Sequence, residues 1–486
     1  MTRPKHIAIL GAGPGGYVAA IRAAQLGARV TVVEHQRLGG VCLNWGCIPS
    51  KALLSVIELG EKIKRACDYG MTVMGPVGYD PVRMVSRKNK VVEGLVKGLA
   101  SLFKAWNIEY IDGTGELLDA TSLRVAKRDG TALTIRADAI IIATGSSWPQ
   151  LPQFPVDGQQ IITSKQAFEL ASIPKRLLIV GGGVEGCELA TLYSGLGTQV
   201  MLIELMEQIL PQEDEEIAAI QARELAKRGV EIRVGTAVQH LERRPGSVRA
   251  TLQDGSMIEA EQVLVSVGRR CNSVGIGLEK AGVQVGPRGE IVVNDRMETN
   301  VPGIYAIGDV VGKAMLAHVA SAQGKVAVHN ILGRASSINY NVVPLGIFTL
   351  PEIGRVGLTE RQAREKLLAD GRNPDTDLRV GRFRYPALGK AQVMGETTGL
   401  VKMVSDARTE TILGVHIIGA HATELVHEAA MAMHLGATPR HMADMIHAHP
   451  TLSEALMEAA DDLEGLAIHM ARKRAEGMSR LWVASS

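Results

Sequence analysis

The sequence predicts an α/β fold built on two copies of a strand, glycine turn, helix and strand, followed by a region of different character. Three observations carry this. Glycines in the pattern G-x-G-x-x-G stand at Gly11, Gly13 and Gly16 and again at Gly181, Gly183 and Gly186. Each turn follows a short apolar run and precedes a helical stretch and a second apolar run, which ends in an acid, Glu34 or Glu204, 18 positions past the third glycine. Beyond about Pro344 the pattern changes to alternating strands and then long helices rich in Ala, Met and His.

Residues 6–10 read as the first strand, 17–26 as its helix and 27–34 as the strand that ends in Glu34. Residues 50–106 read as two helices, and 139–143 as a buried strand stopped by Thr144-Gly145. The prolines within 148–155 mark a first domain boundary. The second copy runs from 177 to Glu204. A mainly apolar strand over 262–267 ends at Gly268-Arg269-Arg270, and another over 304–307 reaches Gly308-Asp309. A period that switches from two to 3.6 and back is what a βαβ unit requires.

The bulk numbers bound the rest. A chain of 486 residues is too long for one core and suggests three or four domains. A formal charge of +2 makes no field that would argue for nucleic acid or a membrane surface. No apolar run approaches the roughly 18 residues that span a bilayer. Only Met1 to Lys5 precede the first strand, which leaves no room for a signal peptide, and a cytoplasmic protein is expected. Five cysteines in so long a chain are no disulfide scaffold, and a close pair of them points to catalysis.

The glycine turns let backbone approach a pyrophosphate closely, and the following helix aims its free N–H groups and dipole at the anion. One such turn can arise for packing alone, but two in full βαβ context at matched spacing argue for two dinucleotide sites. Glu34 and Glu204 would accept hydrogen bonds from ribose hydroxyls. A carboxylate at 204 repels a 2′-phosphate, and residues 205–209 offer no arginine to receive one, so NAD is favoured over NADP. Glu185 places a negative charge inside the second turn. Pointed at the pyrophosphate it weakens binding; pointed away it is harmless.

Cys42 and Cys47 lie five apart, about 8–9 Å between Cα atoms on an ideal helix. A disulfide wants about 4.4–6.8 Å. A bridge therefore needs a distorted first turn, which Gly40, Gly46 and Pro49 would permit. Imposed geometry makes a bridge more reducible, and a helix N-terminus stabilises a thiolate. Two buried, unlinked cysteines are the bland alternative. Cys67, Cys187 and Cys271 read as packing residues.

Residues 38–51, Leu-Gly-Gly-Val-Cys42-Leu-Asn-Trp-Gly-Cys47-Ile-Pro-Ser-Lys51, resemble the active-site signature of the dihydrolipoamide dehydrogenases, within the class I pyridine nucleotide–disulfide oxidoreductases. Ala143-Thr144-Gly145, Gly268-Arg269-Arg270, Gly308-Asp309, Met315-Leu316-Ala317-His318 and the run from His447 through His449-Pro450 to Glu454 match in order. The resemblance implies two Rossmann-like domains, for FAD over 1–148 and NAD over 149–275. A central domain over 276–344 would complete the FAD site, and an α+β dimerisation domain would cover 345–486. It also implies a homodimer with one tightly held FAD per subunit.

Carried over by resemblance, Gly11, Gly13, Gly16 and Glu34 would hold the FAD pyrophosphate and adenosine ribose, and Asp309 its ribityl–pyrophosphate region. Gly115, Thr144, Gly145, Ser146, Met315, Leu316, Ala317 and His318 would be further flavin contacts. Lys51 would sit near the flavin ring and pair with Glu188. Gly181, Gly183, Gly186, Glu188, Glu204, Val238 and Gly268 would bind NAD. Cys42 would be the interchange thiol and Cys47 the one facing the flavin, with His449 of the other subunit as base and Glu454 orienting it.

The implied activity is oxidation of protein-bound dihydrolipoamide to lipoamide with reduction of NAD+ to NADH. The implied partner is a lipoylated carrier or the lipoyl domain of a 2-oxoacid dehydrogenase-type complex. The alternatives are a paralogue serving an unusual lipoylated carrier or another disulfide, and a silent flavin-binding subunit. The many histidines raise a zinc cluster as a rival, but no cysteine or His-Glu-x-x-His pattern accompanies them, and no metal is expected. This chain departs from the family pattern at Val184-Glu185, Gln323 and Leu350, and in a basic tail that begins Arg472-Lys473-Arg474.

Overall fold

The computed structural model describes residues 3–171 and 173–471. Two units make up the chain: Met1–Pro211 with Ala222–Tyr340, and Gln212–Gln221 with Asn341–Ser486. The basic tail from Arg472 lies outside the described residues.

The first unit opens with β1 (His6–Leu10), α1 (Pro14–Gln25) and β2 (Arg29–Glu34). β1 pairs in parallel with β2 on one side and with Ala139–Ile142 on the other. The full sheet runs Ile304–Ala306, Ala139–Ile142, β1, β2, Glu109–Asp119, Ser122–Lys127, Ala132–Arg136. The central strands β1, β2 and Ala139–Ile142 are buried almost throughout because both faces are covered, whereas the antiparallel strands beyond them alternate buried and exposed residues. Ile7 and Ile9 pack into one core while Ala8 and Leu10 pack into another, the alternation a strand imposes. α1 has Pro14 in its first turn and buries small residues, Gly16, Ala19, Ala20 and Ala23, so it lies close on the sheet.

The second copy builds a parallel sheet in the order Glu231–Arg233, Gln199–Ile203, Arg176–Val180, Gln262–Val265, Ile161–Ile162. A three-stranded antiparallel sheet, Val238–Arg244, Ser247–Leu252 and Met257–Ala260, accompanies it. Its strands are half exposed, and the all-apolar signal used to find the others passes them by.

Between the copies lie α2 (Gly40–Trp45), α3 (Cys47–Lys64) and α4 (Pro81–Ala105). By length and composition Gly40–Lys64 passes for a membrane-crossing helix, although no unbroken apolar run of that length stands in the sequence. Its break at Gly46 and the burial of Leu53, Leu54 and Ile57 are those of a helix packed inside a protein.

The second unit is an antiparallel sheet, Leu345–Ile347, Glu352–Gly357, Ile412–Gly419, Leu400–Asp406, Leu378–Arg384. Helices Ala422–His434, Pro439–Asp444 and Glu454–Asp462 contribute to the core with its apolar positions Val356, Phe383, Val401, Val415 and Ile417. These helices have 13, 6 and 9 residues, not the long helices the composition suggested. Alternation sends Arg355, His416, Lys402 and Arg382 to the opposite face, directly paired across four strands. Acids meet this basic row: Glu213 on Arg355 at 2.8 Å, and Asp214, Glu216 and Glu360 on Lys402 at 2.9, 2.8 and 2.9 Å. These contacts draw Gln212–Gln221 into the second unit, although the sequence boundaries place it wholly within 149–275.

Candidate functional site

The two glycine turns are built alike. Gly11 and Gly181 both have φ near +107°, and a Cβ at either would collide with a carbonyl oxygen, that of Ala143 or of Ser266. Gly16 and Gly186 each pack against the carbonyl of the first glycine in their turn. Side chains are thus excluded at the first and third glycines of both turns, where backbone packs on backbone just ahead of a helix. Glu34 accepts from the amides of Ala12 and Gln36, both at 2.8 Å. Glu204 accepts from Gly182 at 2.7 Å and Met206 at 2.8 Å. Both carboxylates are buried, and each oxygen keeps a lone pair for a ribose hydroxyl. Burial would raise the Glu34 carboxyl, but His35 and the two amides hold it below its usual range. Turn and acid together fit two dinucleotides, one at each copy.

The remaining expected cofactor residues take these positions. A Cβ on Gly115 would press Leu10 Cδ1 at 2.5 Å, so the strand Glu109–Asp119 passes tightly there. Thr144 Oγ1 donates to Asn272 O at 2.7 Å. Gly145 adopts φ +71°, and Ser146 Oγ donates to Asp309 while accepting from Arg269 Nε at 2.7 Å. Met315 is exposed, Leu316 caps the helix Ala317–Ile331, and His318 lies in its first turn. Val238 is buried at a strand start, and Gly268 follows Gln262–Val265 with φ +98°. Gln323, one of the departures, is fully buried, accepts from Gly308 N at 2.6 Å and donates to Tyr340 Oη at 2.8 Å. A carboxylate there could accept from Gly308 N but not donate, so the Tyr340 hydroxyl would have to become the donor.

Cys42 and Cys47 are brought together by a break in the helix. α2 ends at Gly46, whose φ −135° and ψ −108° are far from helical, and α3 starts afresh at Cys47. The two sulfurs stand 2.6 Å apart. The distortion needed between them is therefore present, and it falls at Gly46. Gly39 and Gly40 both have positive φ, and a Cβ on Gly40 would meet Gly13 Cα at 2.6 Å. The loop leading to the cysteines thus lies backbone to backbone on the first glycine turn. Asn44 closes α2 by donating to Leu38 O and Gly40 O.

A hydrogen bond from Cys42 lowers the Cys47 thiol to about 7, with the Lys51 charge helping against burial and Glu188. The Cys42 thiol is pushed up by its hydrogen bond to Cys47 and by burial. Lys51 Nζ donates to both oxygens of Glu188, which also takes the Ser50 hydroxyl at 2.8 Å. The expected Lys51–Glu188 pair is formed. Cys187 and Cys271 are buried, as packing residues should be, but Cys67 is exposed on a short helical turn rather than packed in a core.

In the second unit His449 Nδ1 meets Glu454 Oε1 at 2.8 Å, and the amide of Thr451 holds the other oxygen at 2.8 Å. Burial raises the Glu454 carboxyl, yet the His449 and Thr451 bonds bring it below its usual range. The His449 side chain is 77% exposed, free to meet a reactant. Among the described residues of this unit, two further His–carboxylate pairs are formed that the sequence did not point to: His447 with Glu428 at 2.8 Å and His469 with Glu458 at 2.6 Å. His447 is two residues from His449 and could have been singled out with it; His469 carried no motif. Glu185 turns its carboxylate to Ser266 Oγ at 3.1 Å.

Residues 5–324 match the model of the pyridine nucleotide-disulphide oxidoreductases, and 343–460 match the dimerisation domain of the same group. The chain is 42% identical over 468 residues to a dihydrolipoyl dehydrogenase of Thermus scotoductus, covering 95% of this chain and 98% of that relative. It is 40% identical over 454 residues to a dihydrolipoyl dehydrogenase of Chlamydia muridarum, covering 93% and 95%. Among solved structures, LpdA from Mycobacterium tuberculosis superposes with a TM-score of 0.87 at 29% identity, covering 94% of this chain and 99% of that one. The HOCl-induced flavoprotein disulfide reductase RclA from Escherichia coli gives 0.83 at 29% identity, covering 94% and 99%. The chain belongs to the pyridine nucleotide-disulphide oxidoreductases.

Proposed function

We propose that this chain is an FAD-dependent dihydrolipoyl dehydrogenase, acting as a cytoplasmic homodimer on a lipoylated carrier and using NAD+ as acceptor. The observation that carries it is the helix break at Gly46, which sets Cys42 and Cys47 sulfur to sulfur beside Lys51. Relatives of this name at about 40% identity over nearly the whole length support it, and the dimerisation domain over 343–460 supports the homodimer.

The residues divide the work as follows. One thiol of the substrate loses its proton to Nε2 of the partner subunit's His449, whose Nδ1–H is held by a carboxylate, as in a catalytic triad. The substrate thiolate attacks Cys42, the Cys42–Cys47 bond breaks, and Cys47 leaves as thiolate. A thiol lowered to about 7 is a good leaving group. The second substrate thiol attacks the substrate sulfur of the mixed disulfide, its proton passes to the departing Cys42 sulfur, and Cys42 is released as a thiol. The substrate departs oxidised by two electrons, and the cysteine pair holds them. When bound, FAD supplies the relay that takes the pair from the dithiol to NAD+. Glu204, buried against its own turn, repels a 2′-phosphate and favours NAD+ over NADP+.

The test is NADH formation from dihydrolipoamide and from lipoylated carriers of the same cell. Cys42→Ser and Cys47→Ser should keep their flavin and lose turnover. A flavin-loaded protein that makes no NADH from any of these dithiols would sink the reading.

A further inference from the structure

Glu185 stands in the first turn of the helix Val184–Gly195, where the matching position of the first copy is Gly15. That glycine is hemmed in: a Cβ there would meet Ala320 O and Ile307 at 3.2 Å. The second copy has a carboxylate at the same point. Glu185 Oε2 accepts from Ser266 Oγ at 3.1 Å, and Ser266 directly follows the strand Gln262–Val265.

The sheet topology says which half of a dinucleotide this carboxylate faces. From Arg176–Val180 the chain moves to Gln199–Ile203 on one side, and Gln262–Val265 lies on the other. A dinucleotide bridges the crevice at such a switch point, with its adenosine ribose on the acid that ends the strand after the helix. Glu204 is that acid and marks the adenosine side. The nicotinamide half then lies on the side of Gln262–Val265, where Ser266 holds Glu185.

Charge decides what a carboxylate does there. The pyrophosphate is equally anionic in both forms of the coenzyme, whereas the nicotinamide ring is cationic in NAD+ and neutral in NADH. A negative charge near the pyrophosphate weakens both forms alike. One near the ring attracts the oxidised form alone.

We propose that Glu185, held by Ser266, is a specificity-determining residue that biases the dinucleotide site toward NAD+ over NADH. The proposal rests on the reading of this site as an NAD site. Its consequence is that the product leaves more readily than the substrate, which suits an enzyme working toward NADH.

The test is binding to the flavin-loaded protein. NAD+ is titrated into the oxidised holoenzyme by calorimetry, and NADH into anaerobically pre-reduced holoenzyme by fluorescence. Glu185→Gln should lower the preference for NAD+ over NADH by about three- to tenfold, and the difference should shrink in high salt. Ser266→Ala should move it in the same direction by less. Equal tightening of both forms in Glu185→Gln would place the charge on the pyrophosphate and overturn the proposal. An unchanged ratio with both forms bound would overturn it too. If neither form binds the unaltered protein, the NAD reading itself fails and takes the proposal with it.

Discussion

The ammonium of Lys51 meets both carboxylate oxygens of Glu188, at 2.9 and 2.8 Å, and so ties the helix that begins at Cys47 to the helix that follows the second glycine turn. Lys51 lies four residues beyond Cys47 on α3, the spacing that puts two side chains on one helix face. Its charge is one of the influences that lower the Cys47 thiol. Lys51→Met should therefore raise the Cys47 midpoint above about 7, by about one pH unit or more. Thiolate absorbance of the reduced protein against pH reads this directly. A midpoint that does not move would assign the lowering to Cys42 alone.

His449 and Glu454 form a second hydrogen-bonded pair, at 2.8 Å. His449→Gln should cut turnover of dihydrolipoamide by about 10²- to 10⁴-fold while flavin content stays the same. Glu454→Gln keeps the volume but removes the charge that steadies a protonated imidazole, so the loss should be in the same direction and smaller. Because the Glu454 carboxyl is held below its usual range, its support for His449 should persist into mildly acidic solution. Turnover of the two variants across pH, with flavin content as control, checks both points.

Lys402 is a buried cation between three carboxylates, its side chain only 3% exposed. Lys402→Met leaves Asp214, Glu216 and Glu360 facing one another with less compensation, and should cost about 3–5 kcal/mol by chemical denaturation. Burial alone would raise Glu216, but Arg382 and Lys402 bring it down to about 2. A carboxyl depressed on folding stabilises the fold above its unfolded value, near 4.5, and that contribution fades as pH falls from there toward about 2. The unaltered protein should lose stability over that interval, and Lys402→Met should show a weaker dependence there.

The twin glycine turns can be broken separately. Gly11→Ala forces a Cβ onto the Ala143 carbonyl at φ +107°, and Gly181→Ala does the same against Ser266. The first should purify with little or no flavin. The second should keep its flavin yet bind NADH weakly. Visible absorbance and nucleotide titration separate the two outcomes, and loss of flavin from the Gly181 variant would mean the copies have been assigned the wrong way round.

The sequence by itself determined the repeated βαβ units, both terminal acids and a close cysteine pair among residues that permit a bend, while the His449–Glu454 pair came with the motif that carries the family resemblance. All are signals carried within about thirty consecutive residues: a period, a turn glycine, a spacing. Tertiary structure decided what depends on partners far away in the chain. Glu185 could point either way until Ser266, 81 residues on, met it. The segment Gln212–Gln221 belonged to the second copy by position, and joined the second unit because Arg355, Lys402 and Arg382 line up on neighbouring strands to receive its acids. Local pattern governs which element forms. Strand register governs which charges meet, and register is set by packing that no short window of sequence contains.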